Sequence, residues 1–80
     1  MNYVFAVFST RFSTLNFART LGSHNIPVAI VNTPHGIGRA CGISVKLLGD
    51  YLEKAQSLLQ TMANFVGFFT YVGQGQLIKI

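Results

Sequence analysis

Runs of β-type residues and helix-patterned stretches alternate along this chain as strand, helix, strand, strand, helix, strand. That order constrains the fold more than any other feature. Tyr3–Phe8 is aromatic and β-branched almost throughout, the make-up of a buried strand. Ser9 and Thr10 are both suited to cap a helix over 11–22. Within it Leu15, Ala18, Leu21 and Gly22 recur at spacings of three and four, with Phe12 leading the stripe and Phe17 widening it. Gly22-Ser23 predicts the helix end, and Pro27 forbids continuation. Ile26–Val31 reads as a second strand, with Pro27 tolerable only at its start or on a sheet edge. In Ile43–Leu48 the residues Ile43, Val45 and Leu47 alternate with Ser44 and Lys46, a half-buried strand pattern ended by Gly49. Asp50 and Glu53 form an Asp-x-x-Glu capping box for a helix over 50–63, with Tyr51, Ala55, Leu58, Leu59 and Met62 on one face. Phe65–Val72 is the fourth strand.

In a chain of 80 residues this order predicts a mixed α/β (α+β) fold. Specifically it predicts a ferredoxin-like βαββαβ sandwich: a four-stranded antiparallel sheet, ordered 4-1-3-2, with two helices on one face. Residues 1–72 are expected to form the single domain, and 73–80 a short C-terminal extension. Its apolar end, Leu77–Ile80, reads as an extra edge strand or as a tail ordered by a partner. The topology also places the end of strand 1 at the same sheet edge as the strand 2–3 loop. Ser9 and Thr10 are therefore expected beside that loop.

The loop itself, Asn32–Gly42, concentrates the residues with special backbones: Pro34, Gly36, Gly38 and Gly42. Pro34 stiffens it and pushes Thr33 towards an extended conformation, while the glycines permit positive φ and expose backbone N–H groups. It also carries the single cysteine, Cys41. A thiolate there would be favoured by Arg39, by His35 when protonated, by loop N–H groups such as that of Gly42, and by the helix start at Ser9-Thr10. The competing reading is a free cysteine that serves packing alone, which is common. His35 likewise reads as a thiolate partner or as an exposed loop residue, and His24 as a helix-end residue near the C-terminal dipole.

The motifs in this order resemble those of a small bacterial family of selenium/sulfur carrier-like proteins. Shared are Ser9-Thr10 after strand 1, Ile26-Pro27-Val28 at strand 2, and a Thr-Pro-Arg-x-Ile-x-x-x-Cys-Gly loop. Here the loop reads Thr33-Pro34-His35-Gly36-Ile37-Gly38-Arg39-Ala40-Cys41-Gly42. The family's arginine after the proline is His35 in this chain, and the serines before the cysteine are replaced by Gly38, Arg39 and Ala40. The resemblance implies a carrier that holds sulfur or selenium covalently on Cys41. A donor such as a cysteine desulfurase would load it, and a selenium- or sulfur-accepting enzyme would unload it. No other cofactor is implied. A lone cysteine suits this role, because a second thiol would release the cargo by closing a disulfide.

Composition narrows the alternatives. The only acidic side chains, Asp50 and Glu53, belong to the expected helix cap, which leaves no Ser-His-Asp set and no acid–base pair. Two histidines and one cysteine far apart lack metal-ligand spacing, so no metal is expected. The glycine loop matches neither a P-loop nor a dinucleotide fingerprint. Six basic residues against two acidic give a net charge of +4. The basic positions are scattered without a run or stripe, so nucleic acid is not an expected partner. Half the residues are hydrophobic and only a tenth charged, which predicts a homodimer or larger assembly. One cysteine, a start lacking a basic leader, and no apolar run of about 18 residues predict a cytoplasmic protein without a membrane segment. The alternative function is a non-catalytic regulatory or assembly module, using the glycine loop and the aromatic strand 4 for protein contacts.

Overall fold

The computed structural model describes residues 3–59 and 62–80. Its elements are β1 (Tyr3–Phe8), α1 (Arg11–Ser23), β2 (Val28–Asn32), β3 (Ile43–Leu48), α2 (Leu52–Leu58), β4 (Phe65–Val72) and β5 (Gln76–Lys79). A short 3-10 turn at Gly49–Tyr51 leads into α2. The sheet runs β2-β3-β1-β4-β5 with every neighbouring pair antiparallel. The expected 4-1-3-2 order is present, but the sheet has five strands and not four. Residues 73–80 supply the fifth: Gly73 and Gly75, at φ 54° and 93°, turn the chain so that β5 pairs along β4. Positive φ is the conformation that favours glycine in such a turn.

Alternation sorts the strand residues between two faces. One face carries Val4, Ala6 and Phe8 of β1, Val45 and Leu47 of β3, and Phe68 of β4. Against them pack Phe17 and Leu21 of α1 and Ala55 of α2, so both helices cover this side. Phe8 is fully buried, with its ring 5.3 Å from that of Phe17 and 5.2 Å from that of Phe65. Burying a side chain of this size contributes about 1.5–3 kcal/mol.

Three local expectations are corrected. The buried stripe of α1 is Ser13, Thr14, Phe17 and Leu21, while Phe12 is 79% exposed and Leu15 39%. Thr14 can sit on the buried side because its hydroxyl finds polar partners there, and that rotates Phe12 outward. α1 ends at Ser23, as Gly22-Ser23 predicts, but no glycine takes the left-handed position after it. Asn25, at φ 62°, takes the left-handed position, with its N–H on the Gly22 carbonyl and the Ile26 N–H on the Leu21 carbonyl. That is a Schellman motif built on asparagine. It also moves the second strand to Val28–Asn32, with Pro27 just outside.

The second helix is shorter than expected, seven residues after the 3-10 turn, and neither Asp50 nor Glu53 forms a side-chain cap. Of the tail of the expected 50–63 helix, residues 60 and 61 lie outside the described residues. Met62 and Ala63 are not helical. The chain must reverse into β4 here, and Asn64 does so at φ 66°, its carbonyl accepting the Ser9 N–H at 2.8 Å. The expected apolar face survives: Ala55 is buried, and Tyr51, Leu58, Leu59 and Met62 pack against the core.

Candidate functional site

The loop between β2 and β3 is pinned at both ends. Its Thr33 N–H donates to the Gly42 carbonyl at 3.0 Å, closing the base. The Thr33 hydroxyl donates to the Cys41 carbonyl at 2.7 Å and lies 2.6 Å from the Ser44 hydroxyl. These bonds satisfy Ser44, which is fully buried although it alternates with the core residues of β3. From this base the chain makes two turns, with Gly36 at φ 92° and Arg39 at φ 63°. Gly36 is suited to that conformation, whereas Arg39 occupies it at a cost of about 1–2 kcal/mol. Gly38 and Gly42 do not have positive φ, and open space surrounds the place where each would carry a Cβ.

Cys41 returns from the loop to the end of β1. Its N–H donates to the carbonyl of Phe8, the last β1 residue, at 3.0 Å. The β1–β4 register shifts between Val7 and Phe8, beside this contact. The partly buried Cys41 thiol donates to the Ile43 carbonyl at 3.1 Å, and its sulfur lies 3.3 Å from the Thr14 hydroxyl. Thr14 is fully buried in the first turns of α1 and donates its own hydroxyl proton to the Thr10 carbonyl at 2.9 Å. Thr10 is the N-cap, its hydroxyl accepting the Ser13 N–H at 3.1 Å.

The structure therefore brings Cys41, Gly42 and Thr33 together by direct hydrogen bonds, and links Thr10 to the thiol through Thr14. Ser9 lies at the same end of the sheet, but its N–H is taken by the Asn64 carbonyl and the residue is exposed. His35, Gly36, Gly38 and Arg39 are exposed on the two turns, with Pro34 partly buried before them. Among the described residues, no hydrogen bond joins the His35 or Arg39 side chain to the sulfur. Thr14, the Phe8 carbonyl and the Ile43 carbonyl are contacts that sequence reasoning missed. A sequence signal for Thr14 did exist: Thr14, Phe17, Ala18 and Leu21 fall at i, i+3, i+4 and i+7. Among the described residues no cluster of three or more His, Cys, Asp or Glu could hold a metal ion, and no helix is long and apolar enough to cross a membrane.

Residues 3–64 match the family model described as "Putative Se/S carrier protein-like". The match takes in β1, α1, the whole Thr33–Gly42 loop, β3 and α2, and stops just before β4. Comparison with curated proteins and with solved structures finds no match.

Proposed function

We propose that this chain, which belongs to the "Putative Se/S carrier protein-like" family, carries sulfur or selenium as a persulfide or selenopersulfide on Cys41 and passes it to an accepting enzyme. The observation that carries the reading is the setting of the one cysteine. Its sulfur is partly buried at the junction of β1, α1 and the loop, with a hydroxyl on one side and a carbonyl on the other. Loading would proceed by attack of the Cys41 thiolate on the outer sulfur of a donor persulfide. The new S–S bond forms as the donor's S–S bond breaks, and the donor leaves as a thiolate that takes up a proton. Delivery reverses the polarity: the acceptor's nucleophile attacks the outer sulfur, and Cys41 departs as thiolate. No second thiol in the chain can intercept the cargo.

Thr14 supports both states of the sulfur. Its single hydroxyl proton has two acceptors within reach, the Thr10 carbonyl at 2.9 Å and the Cys41 sulfur at 3.3 Å. With a neutral thiol, the sulfur donates to Ile43 and Thr14 donates to Thr10. With an anionic sulfur, the hydroxyl turns to it, and the Thr10 carbonyl keeps the Thr14 backbone N–H at 3.2 Å. Hydrogen bonds to charged groups are the stronger kind, and the rotation leaves neither the sulfur nor the Thr10 carbonyl without a donor. Arg39 adds positive charge on the exposed side of the same loop, screened by solvent.

Intact-mass spectrometry tests the reading. Incubation with a cysteine desulfurase and cysteine should add one sulfur atom, removable by dithiothreitol and absent in Cys41→Ser. A wild-type chain that gains no sulfur from a loaded donor, and whose thiol reacts only after denaturation, would leave Cys41 as a packing residue.

A further inference from the structure

The face of the sheet turned away from the helices carries no helix; Val7 and Ser44 are buried on it, and towards Tyr3 its side chains form ordered rows. Cross-strand register places Ala29, Lys46, Phe5, Phe69 and Lys79 in one row across all five strands. In the adjacent row Tyr3 pairs with Leu48, and Tyr71 with Leu77. Phe5 and Tyr71 meet edge to face, their ring centres 5.8 Å apart, and the Lys46 ammonium lies over the Tyr3 ring, 4.2 Å from its centre. Tyr3 is 47% exposed and Tyr71 50%. Two shallow grooves flank Tyr3. One, of about 310 Å³, is bounded by Pro27, Ala29, Lys46 and Leu48. The other, of about 360 Å³, is bounded by Phe5, Lys46, Thr70 and Tyr71.

Charge decides what such a face can accept. Both charged side chains in these rows are lysines, set three strand spacings apart, about 14 Å. The chain's two carboxylate side chains, Asp50 and Glu53, sit on the 3-10 turn and on α2, in the helical layer. A second copy seated face to face would meet the lysines with lysines, with no acidic side chain in these rows to pair them. An occupant that presents flat rings and repeated negative charge meets both requirements at once.

We infer that this sheet face binds single-stranded nucleic acid, with bases stacked on the Tyr3, Phe5 and Tyr71 rings and phosphates held by Lys46 and Lys79. A base has a π-face whatever its identity, so stacking on such a platform tolerates sequence. Two of the six basic positions, Lys46 and Lys79, are here brought into one row by strand register. The contribution of Lys79 depends on β5, and its stem lies across Gly67, where a Cβ would come within 2.7 Å of the lysine Cε. This surface is separate from the thiol. Tyr3 opens β1, whereas the Phe8 carbonyl that holds Cys41 closes it, about 17 Å further along.

The test is fluorescence anisotropy of labelled oligouridylate and oligothymidylate of about 12 nucleotides with the full chain, the two probes separating RNA from DNA. Binding is expected with a Kd on the order of 10–100 μM at low salt. Two phosphate contacts give a log–log salt slope of about −1.4, hence roughly 25-fold weaker binding for a tenfold rise in salt. Tyr71→Ala should weaken binding at least ~5-fold, and Lys46→Gln with Lys79→Gln should flatten the salt slope. Arg19→Gln, on α1, should leave binding unchanged. Circular dichroism confirms that each variant is folded, and the lysine pair keeps the test open if the tyrosine variant is not. The inference is overturned by no binding of either probe, by equal binding of a duplex, or by binding that survives the tyrosine and lysine variants but falls with Arg19→Gln. Light scattering that shows a dimer dispersed by Tyr71→Ala would also overturn it, assigning the face to a second copy.

Discussion

The Thr14 hydroxyl lies 3.3 Å from the Cys41 sulfur, across 27 positions of sequence. Thr14 belongs to the buried side of α1 and Cys41 to the end of a glycine-rich loop, so only the docking of the helix against β1 and β3 makes the contact. Thr14→Val keeps the shape and removes the hydroxyl. Loss of the hydrogen bonds is expected to cost about 1 kcal/mol in stability. Alkylation of Cys41 by iodoacetamide in the folded protein should slow severalfold, and Thr14→Ser should restore it. Unchanged alkylation in the valine variant would show that the hydroxyl does not act on the sulfur.

Cys41→Ser replaces the sulfur with a hydroxyl that can still donate to the Ile43 carbonyl and meet Thr14. Its midpoint of thermal unfolding should stay within about 8 °C of wild type, equivalent to roughly 1 kcal/mol in a domain this small. Sulfur loading should vanish in the same sample. Cys41→Ala, which leaves both partners without the sulfur, should be the less stable of the two. Calorimetry with intact mass on one preparation separates the chemical role from the packing role.

Arg39 sits at φ 63° on an exposed turn. Arg39→Gly should stabilise the chain by about 1 kcal/mol relative to Arg39→Ala, because glycine takes that conformation without a Cβ penalty. Both variants lose the same charge. A difference between them in urea denaturation reports the backbone, and any change shared by both in the alkylation rate of Cys41 reports the guanidinium.

Phe12 and Phe17 lie five positions apart on α1, yet one is 79% exposed and the other fully buried beside Phe8 and Phe68. Phe17→Ala should cost about 3–5 kcal/mol, enough to unfold a domain of this size or leave it marginal. Phe12→Ser should change stability by no more than about 0.5 kcal/mol. Equal losses in the two variants would return the buried stripe to the Phe12 side of the helix.

Much of the architecture was legible in the residues. β1, β3 and β4 are long enough, and rich enough in β-branched and aromatic residues, that their ranges follow directly from composition. The ends of α2 were not. Asp50 and Glu53 have the spacing of a capping box, but the chain leaves β3 in a 3-10 turn and their side chains do not cap. On α1, a buried threonine outranked an exposed phenylalanine. Hydrophobicity alone would choose the phenylalanine, and hydrogen bonds from Thr14 to Thr10 and Cys41 reversed the choice.

What the sequence determined by itself is local and periodic: which runs are strands, that Ser9 or Thr10 caps α1, that residues 33–42 form a loop, and that its thiol has no second cysteine to close on. The order of those runs also determined the sheet order through β1 to β4. Only the tertiary structure decided what meets the sulfur, because the Phe8 carbonyl, the Thr14 hydroxyl and the Ile43 carbonyl converge through β1, a helix face and β3. It likewise decided that Lys46 and Lys79 share a row with Phe5 and Phe69. Cross-strand register is set by the pairing of backbones distant in sequence, and a shift of one residue would turn every one of those side chains to the opposite face.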